Sequence, residues 1–481
     1  MSHRSRLTLT ALTLIAAGAF APQAQASGFQ LREQSPSAQG NAFAGVTAGG
    51  NDISSMFFNP AVMTQFSGNQ FVIGGSYIGL SAEYSGGTAT RTPALGAFYA
   101  INPSYQTISG GSTHKNAAIS AVLPEINLMY SLSKDLKLGI SVNVPFGLTT
   151  EYDGAWIGRY HALKSDLKTI DITPSIAYRF SPEWSGGVAF VARKADAELT
   201  NGVDYGTALA LSAYQTLRGS GLDPASAANA AISGGAIPGA YDGKAGLKGN
   251  GWGYGFKAGL IWEPTQAFKI GLAHQSAITM TLKGDATFEI PSSIPNTAPF
   301  FLAAGLAAKG LKNGGGSAEL NLPATTSLGF NYIISDTFSF QGEAAQSTWS
   351  RFKELRVKFD TGAPDSVTAE NWRDTWYYSL GGTWKVNQDW TLRAGLAFDQ
   401  SATDDAHRTP RIPDNDRKWV SLGASYTYSK ALSFDFGYTR IFVSDGKVEL
   451  TSAGDNTLRG NLNGTIKSAI NILGAQVRYS F

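Results

Sequence analysis

The last residues of the chain alternate between polar and apolar side chains and end on an aromatic residue. Side chains on a β-strand point to opposite faces in turn, so Val477, Tyr479 and Phe481 share one face and the polar residues between them share the other. In a membrane barrel the apolar face meets lipid and the polar face meets the lumen. This segment predicts the closing strand of an outer-membrane β-barrel, with the barrel-assembly machinery as a partner.

A period of two recurs along most of the chain. For example, Leu138, Ile140 and Val142 alternate with Gly139 and Ser141. Short polar turns separate pairs of such segments, at 134–136, 182–184, 266–268, 336–338, 388–390 and 430–432. Six tight periplasmic turns and seven longer outer loops require 14 antiparallel strands, an even number as expected for a bacterial barrel. We predict strands at 69–83, 117–131, 136–149, 166–180, 184–199, 250–263, 268–283, 318–333, 337–353, 374–386, 390–401, 417–429, 432–445 and 465–481.

The first 26 residues have the features of a secretory signal peptide. Arg4 and Arg6 precede an apolar run from Leu7 to Phe20, and small residues around Ala26 supply a cleavage pattern. The run is too short for a membrane-spanning helix, which needs about 20 residues. We therefore expect cleavage after Ala26.

Residues 27–68 precede the first clear strand and do not alternate. They are rich in glycine, contain the compact segment 51–61, and lack the composition of a linker. A segment of this kind suggests a hatch, or plug, folded into the barrel lumen. A separate periplasmic extension is the other interpretation, but a free extension is expected to look disordered. The predicted domains are thus a hatch at 27–68 and a barrel at 69–481.

Two outer loops, at about 200–249 and 284–317, have helical composition. Asp223 followed by Pro224 is typical of a helix start. One interpretation is that these helices only pack on each other. The other is that they leave an apolar patch, which usually marks a binding site. The candidate capture residues are Phe300, Phe301, Leu302 and Leu306.

Composition excludes several classes of function. Without the signal peptide, 36 Lys and Arg balance 36 Asp and Glu, so no basic excess predicts nucleic-acid binding. Cysteine is absent, and no motif predicts a metal or another cofactor. An outer-membrane esterase needs a serine–histidine pair, but no nucleophile motif is present and His274 fits a lipid-facing strand position. We predict no enzyme activity.

The third strand contains a proline where a regular ladder needs a donor. Pro145 cannot donate a hydrogen bond, and Gly147 follows two residues later. A wall strand carrying both is expected to bend and leave a gap. A harmless bulge near the rim is the alternative.

Four segments of the chain resemble the FadL-type family of outer-membrane transporters for long-chain fatty acids and toluene-class hydrocarbons. They are 27–31, Asn59–Ala61, 146–152 and 412–417. The resemblance implies a 14-stranded barrel with a hatch, an outer hydrophobic groove, a deeper pocket and lateral exit through the wall. It also implies that Asn59, Pro60 and Ala61 hold the hatch, that Phe29 lines the pocket, and that Pro145, Phe146 and Gly147 form the opening.

The substrate is left open between two hydrophobic classes. Members that bind fatty acids pair the carboxylate with basic residues, but this sequence has no obvious counterpart, and Arg193, Lys194 and Arg373 are candidates by position only. Long-chain fatty acids are the first interpretation, with neutral aromatic hydrocarbons as the alternative. A general diffusion porin is the candidate from another class. We expect a monomer that works surrounded by outer-membrane lipid and lipopolysaccharide.

The terminal strand gives a direct test of the predicted compartment. Deleting Phe481, or replacing it with a charged residue, should impair insertion because the strand loses its interfacial aromatic side chain. The measurements are the amount of protein in the outer membrane and its heat-modifiable migration on gels. Wild-type amounts with unchanged migration would contradict the prediction.

Overall fold

A computed structural model describes residues 28–295 and 302–481, so the predicted signal peptide lies outside the described residues. Within these ranges the chain forms one antiparallel sheet that closes because β1 pairs with β20. The strand segments are β1 Gln70–Thr90, β2 Ala121–Ser131, β3 Leu136–Asn143, β4 Gly147–Glu151, β5 Lys164–Arg179, β6 Trp184–Asp204, β7 Asp242–Thr265, β8 Phe268–Gln275, β9 Ile278–Glu289, β10 Gly314–Leu322, β11 Thr325–Ile333, β12 Phe338–Ser347, β13 Glu354–Phe359, β14 Ser366–Ala369, β15 Thr375–Lys385, β16 Trp390–Asp399, β17 Arg417–Thr427, β18 Leu432–Val443, β19 Gly446–Leu450 and β20 Asn461–Ser480.

These segments form 14 wall strands, which confirms the predicted strand number. Six wall strands are interrupted and consist of β3 with β4, β8 with β9, β10 with β11, β12 with β13, β14 with β15, and β18 with β19. The tight turns lie where the sequence predicts them. For example, the backbone nitrogen of Phe180 donates to the carbonyl of Trp184, and that of Val386 donates to the carbonyl of Trp390.

The predicted alternation of faces is also confirmed. Leu138 and Ile140 are exposed on the outer face of β3, whereas Lys137 and Ser141 are buried on the inner face. In the terminal strand Val477, Tyr479 and Phe481 are exposed and Gln476 is buried. His274 is exposed on the outer face, with its Nδ1 atom 2.9 Å from Thr326 Oγ1. The apolar side of the wall therefore faces lipid, and the polar side faces inward.

Residues 28–68, here called the N-terminal segment, pack against the inner face of the wall. The segment contains the short helices Pro36–Gln39, Ile53–Phe57 and Pro60–Gln65. Ser35, Asp52 and Asn59 cap these helices, because their side-chain oxygens accept hydrogen bonds from backbone N–H groups of the first turn. Most of the segment is buried as far as Thr64.

Glycines on the inner face let the N-terminal segment approach the wall closely. A Cβ atom at Gly187 would lie 2.6 Å from the backbone nitrogen of Ala61, and one at Gly381 would lie 2.7 Å from the carbonyl oxygen of Asn41. Side chains there would collide with the segment. Other wall glycines in the same situation are Gly259, Gly271, Gly395, Gly423 and Gly437.

Helices Tyr205–Gly219, Pro224–Ser233 and Leu302–Ala308 lie in the two outer loops of helical composition. Asp223 caps the second of them by accepting from the backbone nitrogens of Ala225 and Ser226. The helix Gly96–Ile101, in the first outer loop, was not predicted, but it joins the same apolar cluster through Phe98. None of the helices in the described ranges is both long enough and apolar enough to cross a membrane.

Neighbouring glycines in β15 test how the N-terminal segment is held. Gly381→Val should displace the segment, because overpacking of this kind costs about 1–3 kcal/mol and the colliding atom is backbone. Gly382→Val is the control, since its Cβ would meet the ring of Phe338 at 3.2 Å and the carbonyl oxygen of Ser339 at 3.8 Å, and no atom of the N-terminal segment is among its nearest neighbours. We expect raised conductance in planar bilayers for the first variant only. Equal conductance of both variants would contradict this account.

Candidate functional site

The third wall strand breaks at residues 144–146. Against β5, Asn143 pairs with Asp171 and Gly147 pairs with Lys168, so three residues on one strand oppose two on the other. This is a β-bulge, which bends the strand that carries the extra residue. The predicted bend is therefore present.

On its other side the broken strand separates from β2. Pairing between them ends at Ile126 with Val142 and resumes at the isolated bridge between Ala118 and Thr150. In β2, Pro124 lies within the unpaired stretch and has no backbone N–H to donate. The wall thus has a gap between β2 and the β3–β4 strand, and sequence reasoning identified only one of its edges.

The N-terminal segment replaces β2 along part of this gap. The backbone nitrogen of Leu31 donates to the carbonyl of Pro145 at 2.8 Å, and the backbone nitrogen of Gly147 donates to the carbonyl of Phe29 at 3.1 Å. Gln30 forms an antiparallel bridge with Phe146. The start of the described chain is therefore paired, as a short strand would be, with the bent part of the wall.

Phe146 turns inward and joins a buried aromatic cluster. Its ring lies 6.0 Å from the ring of Phe29, which lies 4.9 Å from that of Trp349. Trp372 lies 4.9 Å from both Trp349 and Phe352. The structure thus brings two of the predicted site residues together, Phe29 and Phe146.

A small cavity of about 90 Å³ lies next to this cluster and beside the gap. Its lining is mostly apolar and includes Phe29, Leu31, Leu80, Leu148, Ile412 and Ile470. Ile470 and Ile472 are buried on the inner face of the terminal strand, so an apolar surface continues along this part of the lumen.

Asn59, Pro60 and Ala61 lie elsewhere. The Asn59 side-chain nitrogen donates to the carbonyl of Thr47 at 2.7 Å, and its side-chain oxygen accepts from the backbone nitrogen of Ala61 at 2.9 Å. The same side-chain nitrogen lies 3.3 Å from the carbonyl of Leu260 in the wall. These three residues tie the N-terminal segment to itself and to the wall, away from the aromatic cluster.

A larger cavity of about 790 Å³ lies among the outer loops. Apolar side chains of two outer helices and of β13 line it, among them Leu209, Leu306, Val357 and Phe359. Leu306 is buried against the neighbouring helices, so it both packs and lines the cavity. Phe300 and Phe301 lie outside the described residues, and the side chain of Leu302 is outside them as well.

Two arginines reach this outer cavity without an ion pair. The guanidinium of Arg411 donates to Ser165 Oγ at 3.1 Å and lies 3.3 Å from the side-chain oxygen of Asn201. That of Arg459 donates to Thr368 Oγ1 at 2.9 Å and to Ser366 Oγ at 3.1 Å. Neither guanidinium forms an ion pair with a carboxylate among the residues that the structure describes.

Electrostatics at the two arginines favour an anion. Burial, with the positive charge of Arg459 nearby, lowers the pKa of Arg411 to about 9. Burial also raises the pKa of Glu370, whose charge acts on both arginines, to about 8, so this carboxyl is mainly neutral at pH 7. Arg411 therefore keeps a positive charge with little compensation, whereas the negative charge of Asp455, which also lines the cavity, acts on Arg459.

The basic residues that their positions in the sequence suggested as carboxylate partners lie in other environments. Arg193 is fully buried in a two-point ion pair with Asp171, at 2.6 and 2.7 Å, and its guanidinium lies over the Phe146 ring. Lys194 forms an ion pair with Asp196 at 3.3 Å, and Arg373 is exposed. Sequence reasoning missed Arg411, although it directly precedes the segment 412–417 that carries the family resemblance.

Comparisons with known proteins agree along nearly the whole chain. A family model described as "Outer membrane protein transport protein (OMPP1/FadL/TodX)" matches residues 17–481. The chain is 30% identical over 458 residues to a long-chain fatty acid transport protein of Escherichia coli O6:H1, with 94% of each chain covered.

Solved structures show the same architecture. A Pseudomonas aeruginosa FadL homologue matches with a TM-score of 0.79 and 26% identity, covering 94% of this chain and 100% of that one. The Pseudomonas putida toluene transporter TodX matches with a TM-score of 0.65 and 14% identity, covering 94% and 99%, and this second likeness concerns the fold alone.

Proposed function

The chain belongs to the outer-membrane transport protein family that includes the FadL-type transporters, and from this premise we propose that it carries long-chain fatty acids without energy input. Its outer-membrane location and its transport of hydrophobic molecules, either fatty acids or aromatic hydrocarbons, follow from the family. The choice of fatty acids and the route through the protein are the proposed parts.

Two arginines of the outer cavity, neither of them in an ion pair within the described part of the chain, carry this proposal. A fatty acid joins a long apolar chain to one carboxylate, and the cavity combines apolar walls with Arg411 and Arg459. Arginine pairs with carboxylates through charge-assisted hydrogen bonds that are stronger than neutral ones. A bound carboxylate would supply the missing negative charge, while the alkyl chain would contact Leu306, Val357 and Phe359.

The proposed route leads from the outer cavity to the gap. Arg411 lines the outer cavity and the next residue, Ile412, lines the small cavity beside the gap. The aromatic cluster of Phe29 and Phe146 lies beside the broken strand, where the carbonyl of Phe29 accepts from Gly147. In this proposal Phe300, Phe301, Leu302 and Leu306 capture the ligand outside, and the N-terminal segment is the hatch that blocks the axial path.

Lateral release is physically favourable for such a ligand. Lipopolysaccharide hinders direct entry of hydrophobic molecules from outside, whereas an opening in the wall leads straight to membrane hydrocarbon. The alkyl chain then moves from one apolar environment to another and is not exposed to periplasmic water, which avoids a cost of about 0.8 kcal/mol per CH₂ group.

Uptake of neutral aromatic hydrocarbons is the second candidate. The observation that favours it is the buried group of five aromatic side chains, Phe29, Phe146, Trp349, Phe352 and Trp372. Aromatic rings pack against one another in edge-to-face geometries like those seen in this cluster. A neutral aromatic hydrocarbon has no carboxylate for an arginine to bind. Substitution of the arginines therefore distinguishes the two candidate substrates.

Substituting the arginines tests the choice between these substrates. Arg411→Gln with Arg459→Gln should weaken oleate binding by about tenfold or more, since hydrogen bonds to charged groups contribute roughly 1.5–3 kcal/mol. Binding of methyl oleate and of toluene to protein in lipid nanodiscs is the control and should not change. Loss of oleate and methyl oleate binding to the same extent would show that the arginines do not recognise the carboxylate.

Restoring the wall tests lateral release. Pro145→Thr with Gly147→Val adds a donor and β-branched side chains, which favour regular strand pairing. We expect oleate binding to persist while transport into cells falls. Normal transport in a variant whose structure shows a straightened strand would contradict lateral exit and favour passage along the barrel axis past the hatch.

A further inference from the structure

The side chain of Gln34 takes the place of a strand at the gap. Its Nε2 atom donates to the carbonyl of Val144 at 2.7 Å, and its Oε1 atom accepts from the backbone nitrogen of Val144 at 3.0 Å. These are the two bonds that an opposite residue exchanges in a hydrogen-bonded pair of an antiparallel ladder. Gln34 is fully buried.

The side chain of Thr169 in β5 forms hydrogen bonds with the next backbone groups that β2 leaves unpaired. Its hydroxyl accepts from the backbone nitrogen of Phe146 at 3.0 Å and donates to the carbonyl of Phe146 at 2.8 Å. Phe29 and Leu31 bind the backbone groups that follow and precede Phe146. As a result, every backbone donor from residue 144 to residue 147 has a partner that does not belong to β2. The open wall therefore leaves none of these donors without a hydrogen-bond partner.

The two edges of the gap have equal lengths, but the hydrogen-bonded pairs on its two sides differ in phase, since Leu132 donates to Leu136 below the gap and Ile119 donates to Thr149 above it. Pairing below the gap ends at Ile126 with Val142, and above it resumes at Ala118 with Thr150, so the intervening stretches 119–125 and 143–149 have equal lengths. Equal length is not automatic in this barrel. Between β7 and the strand made of β8 and β9, the register shifts by one residue across the interruption.

One proline lies on each edge of the gap. In the continued register Pro124 would face Val144, and Leu123 would face Pro145. Adjacent pairs alternate between hydrogen-bonded and non-hydrogen-bonded, and the backbone nitrogen of Leu132 donates to the carbonyl of Leu136, so the even-numbered residues of β2 form the hydrogen-bonded pairs. A closed ladder would therefore lack the donor of Pro124, whereas Pro145 would lie in a non-hydrogen-bonded pair. Gln34 supplies the carbonyl of Val144 with the donor that Pro124 cannot provide.

We propose that Gln34 and Thr169 are positioning residues that hold the wall gap open and thereby couple the N-terminal segment to lateral release. This inference rests on the proposed lateral exit, because a gap held open matters only if ligand passes through it. When Gln34 is in place, the backbone N–H and carbonyl groups of Val144 are hydrogen-bonded to the N-terminal segment inside the barrel. In this proposal, movement of the N-terminal segment away from Val144 lets the broken strand approach β2, and the gap narrows.

Engineered disulfides can measure the width of the gap because the chain has no cysteine. Ala121→Cys with Gly147→Cys places two thiols that would face each other in the closed register, where opposite Cα atoms lie about 4.5–5.5 Å apart and a disulfide can form. Leu128→Cys with Ile140→Cys, across the intact ladder, is the reference pair. Oxidation by copper phenanthroline is followed in full-length protein in lipid vesicles by loss of maleimide labelling.

Each variant changes a side chain that forms hydrogen bonds with the backbone of the broken strand. Gln34→Leu removes both hydrogen bonds to Val144, and Thr169→Val removes the hydroxyl without changing side-chain shape. Thr169→Ser keeps the hydroxyl and is the conservative control. We expect the gap pair to cross-link about tenfold faster with Gln34→Leu, as loss of two hydrogen bonds in the open form implies, and faster with Thr169→Val. The reference pair and Thr169→Ser should behave as in the unsubstituted protein.

The result separates this inference from the proposed function. Unchanged cross-linking in both Gln34→Leu and Thr169→Val would overturn the roles of these residues and leave lateral release untouched. Faster cross-linking with unchanged oleate transport would support the roles and contradict lateral release. If Gln34→Leu does not fold, as shown by gel migration, the comparison of Thr169→Val with Thr169→Ser decides.

Discussion

Every peptide group in the wall of a membrane barrel must find a hydrogen-bond partner in the protein, because lipid offers none. This constraint closes β1 onto β20, so that within the described ranges the sheet is open only where β2 faces the gap. It also decides how a wall can contain an opening. Here the groups that β2 leaves unpaired are taken over by the N-terminal segment and by Thr169, so the gap and the segment inside the barrel depend on each other.

Close packing inside the barrel follows from the same requirement. The N-terminal segment approaches the wall at glycines such as Gly187 and Gly381, where any side chain would collide with backbone. Its polar groups are paired across the interface as well. Asp52, for example, accepts hydrogen bonds from Ser54 and from Gln476 of the terminal strand. Burying a carboxylate is unfavourable unless such partners are present, so these hydrogen bonds favour the observed position of the segment in the lumen.

Charge distinguishes the outer cavity from the rest of the apolar path. The buried ion pair of Arg193 with Asp171 is internally neutral and lies against Phe146, so it does not call for an anionic ligand. Arg411 and Arg459, in contrast, have only neutral hydrogen-bond partners. Within the proposed route, the carboxylate is recognised at the outer end. Arg417 in the cavity beside the gap is already ion-paired with Asp414, so we expect this stretch to contact the hydrocarbon part.

The sequence by itself determined the compartment, the 14 strands, their faces and the position of the bend at Pro145, because alternation, tight turns and the missing proline donor are local properties of the chain. Only the tertiary structure decided what surrounds that bend. Gln34 and Val144, Phe29 and Trp372, and Arg411 and Ser165 are far apart in the chain and meet only after the barrel closes. Pairing across such distances depends on register and on how the N-terminal segment folds inside, and no periodicity along the chain encodes these contacts.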